Sequence, residues 1–369
     1  MKRLRSTGEE LPDTLRQVVD YRKSGLSLNH VVGCPLDCGY CVRHLFSNFE
    51  MKKPQLVMPD DEAVEQLVGH WAFQANLTPI QVFNRATDPF LPIVKEHLFR
   101  CVEDLDRRGL KNPVLIITRW HVLPEDVERL ARLQNLRVTV LITWSGIEDH
   151  KIEPVPSSIS EQSLRVLSRK KGGLRSILYW RPIVAGLNDS ESHIIRARDL
   201  SKLADATVFT GLFYRDEIRA YFQSIGAPDL YSDVARRKIL PQEVEARIIA
   251  AFGDAPIFRK TSCGIAHAHG VADYNGHYGI REICDICPAV QLKICQKAHH
   301  VPDMADIQAL ARRAGLNIAR ISCDDRRIEV SGSQEQQRYF MQHSLNFQVH
   351  DCSQPHHFGR HGKADIGWN

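Results

Sequence analysis

The chain has 369 residues, 43% hydrophobic and 25% charged, an ordinary globular composition that excludes a largely disordered, collagenous or coiled-coil protein. Its formal net charge of +4 is too small to argue by itself for a nucleic-acid partner, and no apolar run approaches the ~20 residues of a membrane helix. No apolar segment follows the charged N-terminus to act as a signal peptide, so the expectation is a cytoplasmic protein of about two structural units.

Residues 1–25 are polar and read as a surface arm or short helix. From 26 to 215, short β-rich apolar runs alternate with helix-like segments. Strands are predicted over 28–32, 80–83, 114–118, 138–143, 176–184 and 206–213, and helices over 60–74, 92–108, 124–133, 160–170 and 190–203. Parallel neighbours need crossover connections. The alternation therefore predicts an α/β fold, a partial (β/α)6 TIM-type barrel, with its chemistry at the carboxyl ends of the strands. Residues 216–300 read as a helical stretch, amphipathic over 241–252, followed by Gly/His-rich sequence over 261–279 and a cysteine group. Residues 301–369 predict a small α+β unit in the order α-β-β-α-β, with helices over 304–315 and 334–343 and strands over 318–323, 327–330 and 347–351.

Cysteine departs from this plain picture. Ten cysteines without an export signal are expected to remain reduced, so metal binding or catalysis outranks disulfides. Cys34, Cys38 and Cys41 form a C-x3-C-x2-C motif directly after the first predicted strand. Three thiolates on one loop can hold three irons of a [4Fe–4S] cluster and leave the fourth iron open. Zinc or plain buried thiols are the alternative, but a structural zinc prefers four ligands. Cys263, Cys284, Cys287 and Cys295, spaced C-x20-C-x2-C-x7-C, supply a full set of four. A second [4Fe–4S] cluster is the first reading there and zinc the alternative. His267, His269 and His277 lie inside that loop and could replace a ligand, although hydrogen-bonded or solvated loop histidines are the simpler reading. Cys101 falls on a helix and reads as a small core residue. Cys323 and Cys352 read as buried and inert, and become hydrogen-donor candidates only if the tail folds over the barrel mouth.

The first motif, with the aromatic Tyr40 just before its third cysteine and a (β/α)6 pattern behind it, resembles the radical S-adenosylmethionine (radical SAM) superfamily. Three further segments are similar to elements of the spore photoproduct lyase-like members. They are Phe-Asn-Arg-Ala-Thr-Asp-Pro-Phe-Leu-Pro at 83–92, Glu153-Pro154, and Arg-Pro-Ile-Val-Ala-Gly-Leu-Asn-Asp at 181–189. The resemblance spans about residues 26–213 and implies an enzyme that reductively cleaves S-adenosylmethionine. The resulting 5′-deoxyadenosyl radical would abstract a hydrogen atom from a substrate. It also implies an external electron donor of flavodoxin or ferredoxin type, Cys34, Cys38 and Cys41 as cluster ligands, and Tyr40 near the adenine. Asn84, Arg85, Thr87 and Asp88 would lie at the methionine amino group, Thr143 and Ser145 at the ribose, and Arg181 at the methionine carboxylate. The C-terminal cysteine group would be an auxiliary cluster.

Two departures bear on the substrate. Apart from Cys34, no cysteine ends a predicted barrel strand, so the lyase's hydrogen-donor thiol has no counterpart. The lyase also lacks the second cysteine group. The spore lesion is therefore not the implied substrate, and no catalytic hydrogen donor is assigned. The tail from 293 to 369 holds ten Lys/Arg against eight Asp/Glu, a weak balance for a polymer whose affinity rests on phosphate neutralisation. Arg312-Arg313, Arg326-Arg327 and the His-rich run at 356–363 could still contact phosphates. A nucleotide-containing substrate or nucleic acid is slightly favoured over a small metabolite, sugar or peptide. A non-enzymatic iron–sulfur or zinc redox sensor that binds nucleic acid is the reading of a different class.

Overall fold

A computed structural model of the chain describes residues 11, 15, 17–170, 172–234 and 238–353. Most of the N-terminal arm and the whole 356–363 run lie outside the described residues. Ten strands, β1 (Val19–Arg22), β2 (Gly25–Leu28), β3 (Val31–Val32), β4 (Gln55–Leu56), β5 (Ile80–Val82), β6 (Pro113–Thr118), β7 (Arg137–Trp144), β8 (Arg175–Ile183), β9 (Ala206–Gly211) and β10 (Ile257–Phe258), precede residue 259. Eight of them form one sheet in the order β1-β2-β5-β6-β7-β8-β9-β10. All its pairings from β2 to β10 are parallel, and β1 joins β2 antiparallel. Among the described residues β1 and β10 have no further strand partner, and no closed barrel is formed by them. Separately, β3 and β4 pair antiparallel.

The six expected strand regions are found, with two differences at the start. The 28–32 run is divided: β2 ends at Leu28 in the main sheet, while β3 pairs with β4. Residues 19–22, read as part of a surface arm, are instead an edge strand whose Val19, Asp20 and Tyr21 are buried. The inner strands show why the sheet forms. β6 reads Pro-Val-Leu-Ile-Ile-Thr and β7 Arg-Val-Thr-Val-Leu-Ile-Thr-Trp, buried almost end to end, as parallel strands covered on both faces must be.

Helices follow the sequence signals closely. Asp60–Val68 starts behind Pro59 with Asp60, Asp61 and Glu62 in its first turn, where acidic side chains complement the helix dipole. Pro124–Ala131 starts with Pro at its first position, and the Leu123 N–H donates to Asp126 Oδ2 at 3.0 Å. Lys95–Arg107 buries Leu98, Cys101, Val102 and Leu105 on one stripe, which places Cys101 in the core as expected. One reading is corrected. The Gly/His-rich stretch opens with a helix, Thr261–His269, packed on β8 and β9.

The C-terminal unit keeps the expected α-β-β-α-β order. Its helices are Met304–Arg313 and Glu335–Leu345, and its strands are β11 (Ser322–Cys323), β12 (Arg327–Val330) and β13 (Gln348–Asp351). Residues 318–320 form a short 3-10 turn rather than the start of a strand. This unit docks on the N-terminal hairpin. Gln336 Oε1 accepts from the Tyr21 N–H at 3.1 Å, and His343 bridges the Tyr21 hydroxyl and Asn275 Oδ1 at 3.0 Å each.

Two predictions follow from this packing. At the end of β9, a Cβ on Gly211 would sit 1.7 Å from the Ile239 carbonyl oxygen, whereas one on Gly173 would meet nothing within 4 Å. Gly211→Ala should therefore lower stability by about 2 kcal/mol or more while Gly173→Ala leaves it nearly unchanged, as read by urea unfolding. His343 is buried, and burial pushes its pKa down to about 3. The unfolded chain, with His near 6.5, then takes the proton first. Stability should be intact above pH 7 and fall as pH drops from about 6.5 toward the folded value, and a denaturation series in His343→Gln should show a shallower acid slope.

Candidate active site

Because the strands run parallel, their carboxyl ends lie along one edge of the sheet. There β2 runs on through the short β3 into the first cysteine motif, β5 leads into Phe83-Asn84, β6 into Arg119, β7 into Ser145, and β9 into Leu212. Arg181 stands near the end of β8. A cavity of 190 Å³ opens among these ends, and Cys34, Cys38 and Cys41 all line it. Cys34 and Cys38 are 5% and 3% exposed. The loop is held by Arg43, itself buried, whose guanidinium donates to the carbonyls of Cys34 (2.9 Å), Asn48 (3.2 Å), Met51 (3.3 Å) and Phe49. Burial raises the Cys34 and Cys38 thiols, and the nearby Arg43 and Arg119 guanidiniums respectively oppose it.

Seven of the eight cofactor positions expected from sequence line this cavity: Tyr40, Asn84, Arg85, Thr87, Asp88, Thr143 and Arg181. Ser145 does not. Its hydroxyl donates instead to Glu153 Oε2 at 3.0 Å. Tyr40 is tied into the same group, its hydroxyl donating to Glu153 while accepting from Arg119. The Arg85 guanidinium is held by the Gln17 carbonyl at 2.8 Å and by Asp20 at 3.2 Å, so a structural tie occupies it. Asp88 accepts from Thr118 Oγ1 at 2.6 Å and from the Arg119 and Phe90 N–H groups at 2.9 and 3.0 Å. Burial nonetheless raises its pKa. Thr87 Oγ1 and Asn84 Oδ1 are buried without a hydrogen-bond partner among the described residues, leaving two acceptors at the cavity wall. Arg181 lies over the Tyr179 ring, 4.1 Å from its centroid.

Sequence reasoning did not single out Arg119, and it noted Glu153 only as part of a short motif. Arg119 pairs with Glu153 at 2.8 Å. Glu153 is 4% exposed and lies 3.8 Å from the Cys38 sulfur. A cation placed immediately after a strand of six residues, five of them buried, was the available signal. Lys238, which lines the cavity and donates to Thr210 Oγ1 at 3.0 Å, gave none.

The second cysteine group also comes together. Cys263, in the Thr261–His269 helix, is raised well above the usual thiol range by burial and then by Asp273, Cys287, Cys284 and Cys295. Cys287 is pushed up to about 12 by burial and by Cys284 and Cys295. Four thiols that disfavour one another's ionisation suit a cation that offsets the charge. Hydrogen bonds already aim at the sulfurs: the Asp273 N–H and Gln291 Nε2 reach Cys295 Sγ at 3.4 and 3.3 Å. His277 is buried, 3.8 Å from Cys263 Sγ, and held against Asp273 at 3.3 Å. His269 bonds Thr139 Oγ1 at 2.9 Å, and His267 packs on the Phe258 ring.

Cys323 and Cys352 do not fit the expectation of buried thiols. Cys323 is partly exposed and Cys352 exposed, and neither lines a cavity at the strand ends. No helix among the described residues is long and apolar enough to cross a membrane.

No protein-family model and no curated protein matches the chain. Among solved structures, the chain is similar to spore photoproduct lyase complexed with dinucleoside spore photoproduct, at 15% identity and TM-score 0.48 over 66% of this chain and 79% of that one. It is also similar to Streptococcus suis SuiB bound to S-adenosylmethionine, at 12% identity and TM-score 0.43 over 69% of this chain and 54% of that one.

The Glu153 cluster yields a stability test. Glu153→Gln leaves the Arg119 charge buried against an uncharged partner, and breaking such pairs from one side is destabilising by about 3 kcal/mol. Chemical denaturation should show that loss, and Arg119→Met in the same background should recover part of it.

Proposed function

We propose that the protein is a radical S-adenosylmethionine enzyme whose reaction chamber is the cavity at the carboxyl edge of the parallel sheet. The observation that supports this most strongly is the loop of Cys34, Cys38 and Cys41. It is buried at the wall of that cavity, and no fourth cysteine stands among the cavity's lining residues. Three thiols without a fourth fit an iron–sulfur cluster with one open iron better than a closed zinc site. When bound, the cluster supplies one electron to the sulfonium of S-adenosylmethionine, which supplies the 5′-deoxyadenosyl radical.

The chain's own residues have definable tasks in this reading. Arg43 fixes the cysteine loop by its carbonyls. Thr87 Oγ1 and Asn84 Oδ1 offer acceptors for an ammonium group. Arg181, which also lines the cavity, offers a planar donor set for a carboxylate. Tyr40 and Arg119 line the cavity beside the cysteines and are held by Glu153, so this wall is set before any ligand arrives.

For the second group, we read a further [4Fe–4S] cluster on Cys263, Cys284, Cys287 and Cys295. Tetrahedral zinc would bring its thiolates to about 3.8 Å from one another. Among the described residues, the groups whose ligand atoms all lie within 4.8 Å are His30-Asp60-His97 and Cys263-Asp273-His277, and neither is a set of cysteines. Wider spacing suits ligands that each hold a separate iron. The substrate is read as a compact molecule containing a nucleotide, and the electron donor as an external flavodoxin- or ferredoxin-type protein.

Anaerobic reconstitution should give about eight irons per chain, and reductant with S-adenosylmethionine should release 5′-deoxyadenosine. The combined Cys34→Ala, Cys38→Ala, Cys41→Ala variant should keep about half the iron and lose all cleavage. Cleavage that persists in that variant would sink the assignment.

A further inference from the structure

Next to the cysteine-lined cavity lies a larger one of 530 Å³, and the two share Asn84, Arg181, Thr210, Phe213 and Lys238 in their walls. Its far side is built by the turn into the Thr261–His269 helix and by the C-terminal unit. The charge on this wall is one-sided. Eight Lys/Arg side chains line it against three carboxylates, Glu245, Glu335 and Asp351, although Arg22 and Arg85 are also paired with Asp20 at 2.7 and 3.2 Å and Arg259 with Asp285. Each of those carboxylates already has a cation: Glu245 has Arg259 at 2.5 Å, Glu335 has Arg22 at 3.5 Å, and Asp351 has Arg338 at 3.7 Å. Arg181 and Lys238 have no carboxylate within 4.0 Å among the described residues; both are bonded to the Tyr179 hydroxyl, and Lys238 also to Thr210 Oγ1. Lys260 is coupled electrostatically to Lys238, to Lys23 and to Arg259.

Two features turn this excess of charge into a directed site. The Thr261–His269 helix has no side-chain cap at its N-terminus, and Lys260, Thr261 and Ser262 line the cavity there. Arg259, 9% exposed, spends Nε on Glu245 and Nη1 on Asp285, while its Nη2 is buried without a partner among the described residues. An uncapped helix start, an unspent guanidinium nitrogen and neighbouring lysine side chains are what a multiply charged oxyanion needs.

We propose that this corner, Arg259 to Ser262 with Lys238 opposite, binds the phosphate end of a small phosphorylated substrate whose other end reaches the cysteine-lined cavity. The proposal rests on reading the cysteine-lined cavity as the reaction chamber. A phosphate or pyrophosphate group fits better than a single carboxylate, because its several oxygens can meet the Arg259 Nη2, the Lys238 side chain and the helix start together. Phe213, Tyr179 and Tyr339, which also line the wall, provide aromatic faces for a ring between the two ends.

The test is calorimetric binding of pyrophosphate, of a nucleoside 5′-diphosphate, of citrate and of a single-stranded oligonucleotide to the full reconstituted chain, without reductant. The expected result is saturable binding of pyrophosphate and the diphosphate, with Lys238→Gln and Lys260→Gln each weakening it by about tenfold or more. A circular dichroism spectrum and an iron content equal to the parent's must accompany each variant. No binding of pyrophosphate or diphosphate, equal binding in both variants, or preference for citrate would overturn the site. So would an oligonucleotide that outcompetes the diphosphate, since the substrate would then be a polymer. The radical assignment fails separately, by absence of 5′-deoxyadenosine release, and phosphate binding that survives such a failure would leave this site standing.

Discussion

The Glu153 carboxylate is the interaction on which the arrangement of the candidate site depends. It accepts from Tyr40 of the cysteine loop, from Arg119 after β6 and from Ser145 after β7, and it approaches the Cys38 sulfur. In a low-dielectric interior such a carboxylate is tolerated only when it is paired and hydrogen-bonded on several sides. That requirement fixes three segments, far apart in sequence, at the same end of the sheet. Arg119 extends the network, since its N–H donates to Asp88, which also accepts from Thr118. The cysteine loop is thus clamped by Glu153 on one side and by the carbonyl-binding Arg43 on the other.

The parts of this arrangement visible in sequence are those with a local cause. Apolar runs such as Val114–Ile117 reveal inner strands because a strand buried on both faces must be apolar throughout. Cysteine spacing reveals the first thiol group because its three members share a loop, and the second because four cysteines cluster between 263 and 295, although Cys263 and Cys295 stand on helices. Arg119 and Lys238 escaped because their function depends on which loops meet in space, and a single charged residue after a strand has many structural explanations. Asp20 misled in the same way. It reads as a surface residue, yet it is buried with Arg22 at 2.7 Å and Arg85 at 3.2 Å as partners.

The helix Thr261–His269 shows a different kind of failure. Thr, Ser, Cys, Gly and His give it weak intrinsic propensity, and Gly264 looks like a loop signal. A Cβ at Gly264 would lie 2.6 Å from Val208 Cγ2, so the glycine marks close approach of the helix to β9 rather than a turn. Burial of Ser262 through Ala266 outweighs propensity, as tertiary contact commonly does.

That close approach also couples the two halves of the molecule. The helix is held against β8 and β9, so its first turn stands at the wall shared with the strand ends while Cys263, only two positions further on, belongs to the second cysteine group. The C-terminal unit is fixed to the same region. Gln342 donates to the Asn275 carbonyl at 3.0 Å, and Gln348 donates to the Asn275 and Gly276 carbonyls at 2.7 and 3.1 Å. Asn275 follows Asp273, whose N–H meets Cys295 Sγ. The second cysteine group therefore sits between the sheet and the unit that lines the far side of the larger cavity. Any cation bound there would rigidify that unit as well as the corner at Arg259 to Ser262, because both hang from the same short stretch of chain. A helix of such weak intrinsic propensity requires a fastening of this kind to hold its place.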